Sequence, residues 1–378
     1  MAGIYIHIPF CRQFCHYCDF YSSRALGRRP ALIEAILREM EAEREFIPDR
    51  HIETLYFGGG TPSVCAPADL QRVIDRVRTL WEVAPHAEIT AEANPDDLTP
   101  AYMDALAATE INRLSIGIQS FLDRDLRLMN RRHTAAAAIK AVRRAQAAGF
   151  DNLTIDLIYG IPGMSDAEWE YNLKEAVKLD VSHISAYHLT IEKDSRFGKM
   201  VREGTLVPVD EATSERHFRT LRDRLGEAGY EHYEISNFAR PGFAAQHNSA
   251  YWQGKNYLGL GPAAHSYNGR ERRWSLPSLT KYLAVRDPSG TASAHCYKTE
   301  ILTPDDHYNE FLMTRLRTAA GIDLAEMEAR FGAAAPADFN RAARQHIANG
   351  NLVREGNRIR IPPSLFLISD YLIAGLLK

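Results

Sequence analysis

The 378-residue chain is short of several things, and each shortage removes a class of protein. Cysteine is scarce: five residues cannot staple a chain of this size as disulfides staple small secreted domains. Charge of one sign is nearly absent, with a net value of −3, so an overall basic surface for nucleic acid or membrane is not the design. No apolar run reaches the roughly 18 residues that a membrane span needs. The opening stretch, MAGIYIHIPF, has neither a basic n-region nor a cleavage site, so the sequence reads as cytoplasmic or organellar, with cytoplasmic the expectation and its thiols reduced. Glycine (24) and proline (18) are too few for a collagenous or low-complexity chain. At this length two compact units are expected, or one α/β barrel with a smaller addition.

What is present is a repeat of short β-like runs and helical stretches. Residues 3–8, 52–57, 88–92, 113–118, 153–159 and 184–190 read as six strands. Between them, apolar residues recur at helical spacing, as in Leu70, Val73, Ile74, Val77 and Leu80. A βα unit repeated about six times without hairpin signals predicts a parallel sheet with right-handed crossovers. A doubly wound sheet and a barrel both satisfy this pattern. The Cys-rich and Gly-rich segments fall just after strands, Glu92 closes the third and Gln119 the fourth. Barrel chemistry sits at that end of the strands.

Further along, residues 209–229 read as a helix and 230–238 as strand-like. Residues 241–268, rich in Gly, Asn, His and aromatics and without a period, read as a functional loop over the site. Helical pattern returns from Leu302, and residues 351–361 form a hairpin signal around Glu355-Gly356-Asn357. Helices plus a hairpin suggest a winged-helix-like α+β unit. The domains expected are therefore 1–230, a loop-rich extension over 231–300, and 301–378.

Cys11, Cys15 and Cys18 fall within eight residues, whereas Cys65 and Cys296 are isolated. Thiolates are soft ligands that favour iron–sulfur clusters or zinc. A structural zinc site wants four ligands, and here only His7 or His16 could supply the fourth. Three thiolates on a cubane cluster would leave one iron open. Gly58-Gly59-Gly60 is either a tight turn or a place for close backbone approach. It is not a P-loop, because no Gly-Lys-Ser/Thr follows.

The stretch Tyr5-Ile6-His7-Ile8-Pro9-Phe10-Cys11, with Cys15, Tyr17, Cys18 and Asp19, resembles the radical S-adenosylmethionine (SAM) superfamily. It looks most like the branch holding the oxygen-independent coproporphyrinogen III oxidases (HemN) and the related haem chaperones (HemW). Phe57 to Ser63, Glu92-Ala93-Asn94-Pro95, Gly117 to Phe121 and Ile155 to Pro162 follow in family order, so the resemblance spans nearly the whole chain. It implies a partial (βα)6 TIM-like barrel of radical SAM type, with a [4Fe-4S] cluster on Cys11, Cys15 and Cys18. It also implies a SAM site drawing on Tyr5, Tyr17, Gly59, Gly60, Thr61, Glu92, Gln119, Arg131 and Asp156. One electron passed to the SAM sulfonium, from a donor such as a flavodoxin or ferredoxin, would cleave its C–S bond.

Within the branch, the oxidases carry a further cysteine two residues after the third, where this chain has Phe20. They also carry an N-terminal extension of several dozen residues, where this chain has ten residues before Cys11. His247-Asn248-Ser249-Ala250-Tyr251-Trp252 resembles the His-Asn-x-x-Tyr-Trp motif of the haem chaperones. Histidine is a common axial ligand of haem iron and aromatic rings pack on porphyrin faces. The resemblance thus implies haem as cargo, bound through His247, Asn248, Tyr251 and Trp252 and passed to haem-requiring apoproteins. The reading it competes with is a coproporphyrinogen oxidase that decarboxylates two propionates to vinyl groups. A zinc-stabilised interaction protein is the third. The residue that would perform catalysis is not assigned.

Overall fold

A computed structural model describes residues 2–284 and 297–378. Six strands, β1 (Ala2–Ile8), β2 (His51–Gly59), β3 (Glu82–Ala93), β4 (Arg113–Gln119), β5 (Leu153–Tyr159) and β6 (His183–His188), pair in parallel and in chain order. A doubly wound sheet reverses its order at a switch point. The unbroken order removes that alternative and leaves the partial (βα)6 barrel. Right-handed crossovers in one direction put every connecting helix on the same side. Successive helices touch there, Arg29–Ala42 on Pro67–Leu80 and Pro67–Leu80 on Pro100–Ala107. Leu70, Val73, Ile74 and Val77 form the buried stripe of the second of these helices. All seven residues of β4 are buried, since its faces are covered by helices outside and by the site inside.

The barrel sheet does not stop at six strands. β7 (Glu231–Glu234) and β8 (Asn237–Ala239) form an antiparallel pair, and β8 extends the edge of β6. At the other edge β9 (Tyr257–Leu260) pairs with β1 in parallel. Antiparallel β10 (His265–Tyr267), β11 (Glu271–Ser275) and β12 (Tyr297–Ile301) follow, giving a sheet of twelve strands.

The loop expected over 241–268 is therefore not what the chain forms. Gln246–Trp252 is a helix, and β9 and β10 lie in the main sheet. The reason is long-range. The first N–H groups of that helix, on Gln246 and His247, donate to the Glu88 carboxylate at 3.0 and 2.9 Å, across 158 and 159 residues. Such a partner leaves no local period.

The C-terminal unit packs helices Pro304–Arg315, Leu324–Phe331 and Ala335–Ala348 with a small antiparallel sheet. That sheet is β13 (Ile322–Asp323), β14 (Val353–Glu355) and β15 (Arg358–Arg360), with β15 in the middle. Gly356, at φ +60°, makes the turn of the hairpin, as its sequence signal predicts. The apolar tail after the hairpin forms a 3-10 turn, Pro363–Ile368, running into the helix Ser369–Ala374.

Candidate functional site

A cavity of about 890 Å³ opens at the carboxyl ends of the parallel strands. Cys11, Cys15 and Cys18 line it, and so do Tyr17, Gly59, Gly60, Thr61, Glu92, Gln119, Arg131 and Asp156. Of the residues singled out from sequence for the cluster and SAM, only Tyr5 is not on this wall. Tyr5 lies deeper on β1, with its hydroxyl 3.2 Å from His7 Nδ1, and faces a second cavity.

The cysteine loop is tied down at several points. Cys11 N–H donates to Ser23 O at 3.0 Å, and His16 N–H to Met129 O at 3.1 Å. His16 Nδ1 also meets Leu128 O at 2.9 Å. The two His7 nitrogens face Tyr5 Oη and Tyr21 O, each at 3.2 Å. Neither histidine is thus turned toward the thiols. Among the described residues no three His, Cys, Asp or Glu side chains converge on a single metal ion. The loop thus offers three thiols without the fourth, histidine ligand that a structural zinc site would take there, and three thiolates can hold a [4Fe-4S] cluster. Cys65 is buried away from this loop, and Cys296 lies outside the described residues.

Burial pushes the Cys11 thiol up, and pushes Cys18 up to about 11. Thiols held protonated in this way would release their protons to solvent on ligating a cationic centre. Arg131 lies beside them, with Nη1 donating to Cys15 Sγ at 3.3 Å and Nη2 to Asn94 Oδ1 and Gly117 O at 2.7 Å. Its Nε is buried without a partner among the described residues. It is an interior cation and not part of a solvated helix face.

On the opposite wall, Glu92 accepts from Tyr56 Oη at 2.8 Å and from Gly59 N–H at 3.1 Å. Burial raises its carboxyl to about 7. Asp156 accepts from Ser115 Oγ at 3.1 Å, and burial pushes it up as well. Gln119 has φ +71°, next to a register shift between Gly117 and Gln119. A non-glycine residue held in that region is a strained position of the kind found at ligand sites. Gly59 has φ +106°, and a Cβ there would lie 2.6 Å from the His7 ring. Packing against β1 thus requires this glycine, whatever else its amide contacts.

Sequence reasoning missed several members of this wall. Asn94 bridges Thr61 and Arg131, and Tyr56 supports Glu92. Tyr187 and His188, at the end of β6, also line the cavity. The strand-end rule that picked Glu92 and Gln119 applies equally to that last pair.

The four residues expected to hold haem do not form one face. His247 is 2% exposed. Its Nδ1 lies 2.7 Å from Thr54 Oγ1 and its Nε2 2.8 Å from Tyr251 Oη, and its ring stacks on Tyr56 at 5.0 Å. With both nitrogens engaged and no side open to either cavity, this imidazole is not placed to ligate iron. Burial lowers its pKa to about 3, so it stays neutral. Tyr251 faces the second cavity, of about 1460 Å³, while Trp252 faces a smaller one near Arg315. Asn248 lines none of these. The second cavity shares Asp19, Phe20 and Tyr21 with the first, and Phe20, 69% exposed, stands between them.

Comparison with known proteins places this architecture. Residues 5–176 match the radical SAM superfamily model and residues 302–364 match the HemN C-terminal domain. The solved structure of coproporphyrinogen III oxidase (HemN) from Escherichia coli, a radical SAM enzyme, superposes with a TM-score of 0.85 at 22% identity, over 100% of this chain and 90% of that one. The class is thus a radical SAM α/β barrel with a HemN-type C-terminal unit. Heme chaperone HemW of Mycobacterium tuberculosis is 33% identical over 379 residues, covering 99% of this chain and 94% of that protein. Heme chaperone HemW of Escherichia coli K12 is 36% identical over 320 residues, covering 83% and 82%. The chain belongs to the HemW family, whose radical SAM domain implies a [4Fe-4S] cluster and SAM.

Proposed function

We propose that the chain is a haem chaperone that carries haem to haem-requiring proteins, and that it holds a [4Fe-4S] cluster on Cys11, Cys15 and Cys18. The observation that carries the cluster and SAM assignment is the single cavity at the strand ends, which gathers residues from seven separate segments. The haem part draws on the relatives' name and on the second, aromatic cavity that adjoins the first.

A [4Fe-4S] cluster held by Cys11, Cys15 and Cys18 would supply one electron to SAM. The protein's own residues do the rest. Arg131 places positive charge beside the thiols, and Glu92 would accept hydrogen bonds from a ribose. Gln119 and Asp156 orient the polar end of SAM from neighbouring strands, and Tyr17 shields the loop from water. An electron donor such as a flavodoxin or ferredoxin fits this use.

The fold match to HemN favours a second reading, oxygen-independent coproporphyrinogen III oxidase. Phe20 speaks against it, because it offers no thiol at the position where the oxidases have their further cysteine. Anaerobic reconstitution followed by parallel assays separates the two. Hemin binding and SAM binding without conversion of coproporphyrinogen are expected. Sustained formation of the vinyl product by the unmodified protein would replace the chaperone reading with the oxidase one.

A further inference from the structure

The second cavity has a construction of its own. One wall is the sheet extension. Alternate residues of a strand share a face. On β10 these are His265 and Tyr267, and on β11 they are Trp274 and Arg272, all lining the cavity. Register sets His265 opposite Trp274 and Tyr267 opposite Arg272, and carries Lys298 of β12 opposite Trp274. The result is a flat wall of rings edged by cations. The facing wall comes from the C-terminal unit, where Tyr308, Phe311 and Phe331 meet edge to face. Ligand pockets are commonly about 300–1,000 Å³, and this space, at about 1460 Å³, takes a large one.

Four groups in the slot have unused capacity: His265, Lys298, Lys378 and His307, the last on the C-terminal wall and outside the strand face that carries Trp274. His265 is exposed to it and stacks on Trp274 with centroids 5.9 Å apart and 15° between planes. No hydrogen bond engages its ring nitrogens among the described residues, in contrast to His247 and His7. Lys298 has no carboxylate partner among the described residues. Lys378 Nζ sits over the Tyr308 ring at 4.1 Å, again without a carboxylate. The other cations are spoken for: Arg272 pairs with Glu310 and Arg330 with Glu326, each at 2.7 Å.

We propose that this slot is the haem site, with His265 giving its imidazole to the iron and Lys298 and Lys378 taking the propionates. The proposal rests on the haem-chaperone reading and adds the place and the ligand. A flat, dianionic, metal-bearing ring matches the wall's three features at once: aromatic faces, free cations and a free imidazole. A nucleotide would match the cations and rings but leave the imidazole idle. Asp19, Phe20 and Tyr21 belong to both cavities, so the cargo would lie one loop away from the cluster. In this arrangement His247 is a positioning residue, holding Tyr251, which forms part of the slot wall.

The test is a titration of the reconstituted full-length protein with hemin and, separately, with iron-free protoporphyrin IX, followed by absorbance and electron paramagnetic resonance. His265→Ala is expected to weaken hemin roughly tenfold or more and to alter the iron coordination spectrum. It should leave protoporphyrin IX affinity, iron–sulfur content and SAM binding unchanged. Lys298→Glu should weaken both porphyrins alike. His247→Phe, which keeps a ring in the interior, should keep the hemin coordination spectrum. A His265→Ala protein with unaltered hemin spectrum and affinity overturns the proposal, as does loss of axial coordination in His247→Phe alone. If the unmodified protein binds neither porphyrin, the chaperone reading itself fails, and the slot assignment goes with it.

Discussion

Single residues in the strand-end cavity divide by what each can donate. Cys11, Cys15 and Cys18 share one wall, while Cys65 is 2% exposed elsewhere in the core. Replacing any one of the three by Ala is expected to abolish stable cluster assembly, measured as iron and sulfide after anaerobic reconstitution. Cys65→Ala should retain full cluster content and lose only stability, by about 1–2 kcal/mol for a small buried side chain. Cluster loss in Cys65→Ala equal to that in the other three would sink the assignment. Glu92 gives a second prediction. With its carboxyl raised to about 7, it is largely protonated at pH 6 and ionised at pH 8. A carboxylate accepts hydroxyl hydrogen bonds better than its acid does. SAM affinity of the reconstituted protein should therefore rise from pH 6 to pH 8, and Glu92→Gln should flatten that profile. An unchanged profile in the variant would assign the titration to another group.

At the scale of elements, the sheet extension decides where the second cavity lies. β9 joins the edge of β1, and β10 folds back on it through a tight approach at Gly259. A Cβ on Gly259 would lie 1.9 Å from His265 O, a backbone atom that cannot step aside. Gly259→Ala is therefore expected to push β10 off the sheet. The melting temperature should fall, by an amount matching roughly 2 kcal/mol or more, and hemin binding should fall with it. Cluster content should survive, because the cysteine loop packs on the 128–131 turn and not on β10. The helix Gln246–Trp252 illustrates the same dependence on distant partners. Its first amides rest on Glu88 of β3, and its histidine on Thr54 of β2.

For the molecule as a whole, three buried carboxyls shape the response to pH. Burial raises Glu39, Glu92 and Glu234, each to about 7. A carboxyl with a raised folded-state pKa favours the fold only while protonated. Its contribution is complete below about 4.5 and is lost as pH rises through about 7. Glu39 alone accounts for on the order of 3 kcal/mol across that window. It accepts from Tyr282, Tyr297 and Gly261 N–H, and so fastens the first barrel helix to the extension. In chemical denaturation of the protein without cluster these carboxyls contribute a falling slope between pH 5 and pH 7.5, opposed below about pH 6.5 by the buried histidines His7, His133, His232 and His247, whose lowered values add stability as pH rises. Glu39→Gln should reduce that slope even if it lowers stability at pH 5. A slope unchanged by the substitution would place the linkage elsewhere. No helix among the described residues is long and apolar enough to cross a membrane.

The six βα units were legible from sequence alone, because period and turn residues are local properties. β5 begins and ends where its pattern does, at Leu153 and Tyr159. The strand-end rule likewise brought the cysteines, the glycines, Glu92 and Gln119 together before any coordinates, since parallel strands deliver their ends to one rim, while Asp156 came only from the family resemblance. What only the tertiary structure decided concerns residues 241–284 and 297–301. An aperiodic, aromatic-rich stretch reads as a surface loop. Here its backbone is satisfied by β1 and Glu88, far away in the chain, so it folds into helix and sheet. That pairing buried His247, engaged both its nitrogens, and turned His265, Trp274 and Lys298 toward one face. Which of two histidines is free to meet a ligand depends on partners supplied by the fold, and no pattern of neighbours along the chain encodes it.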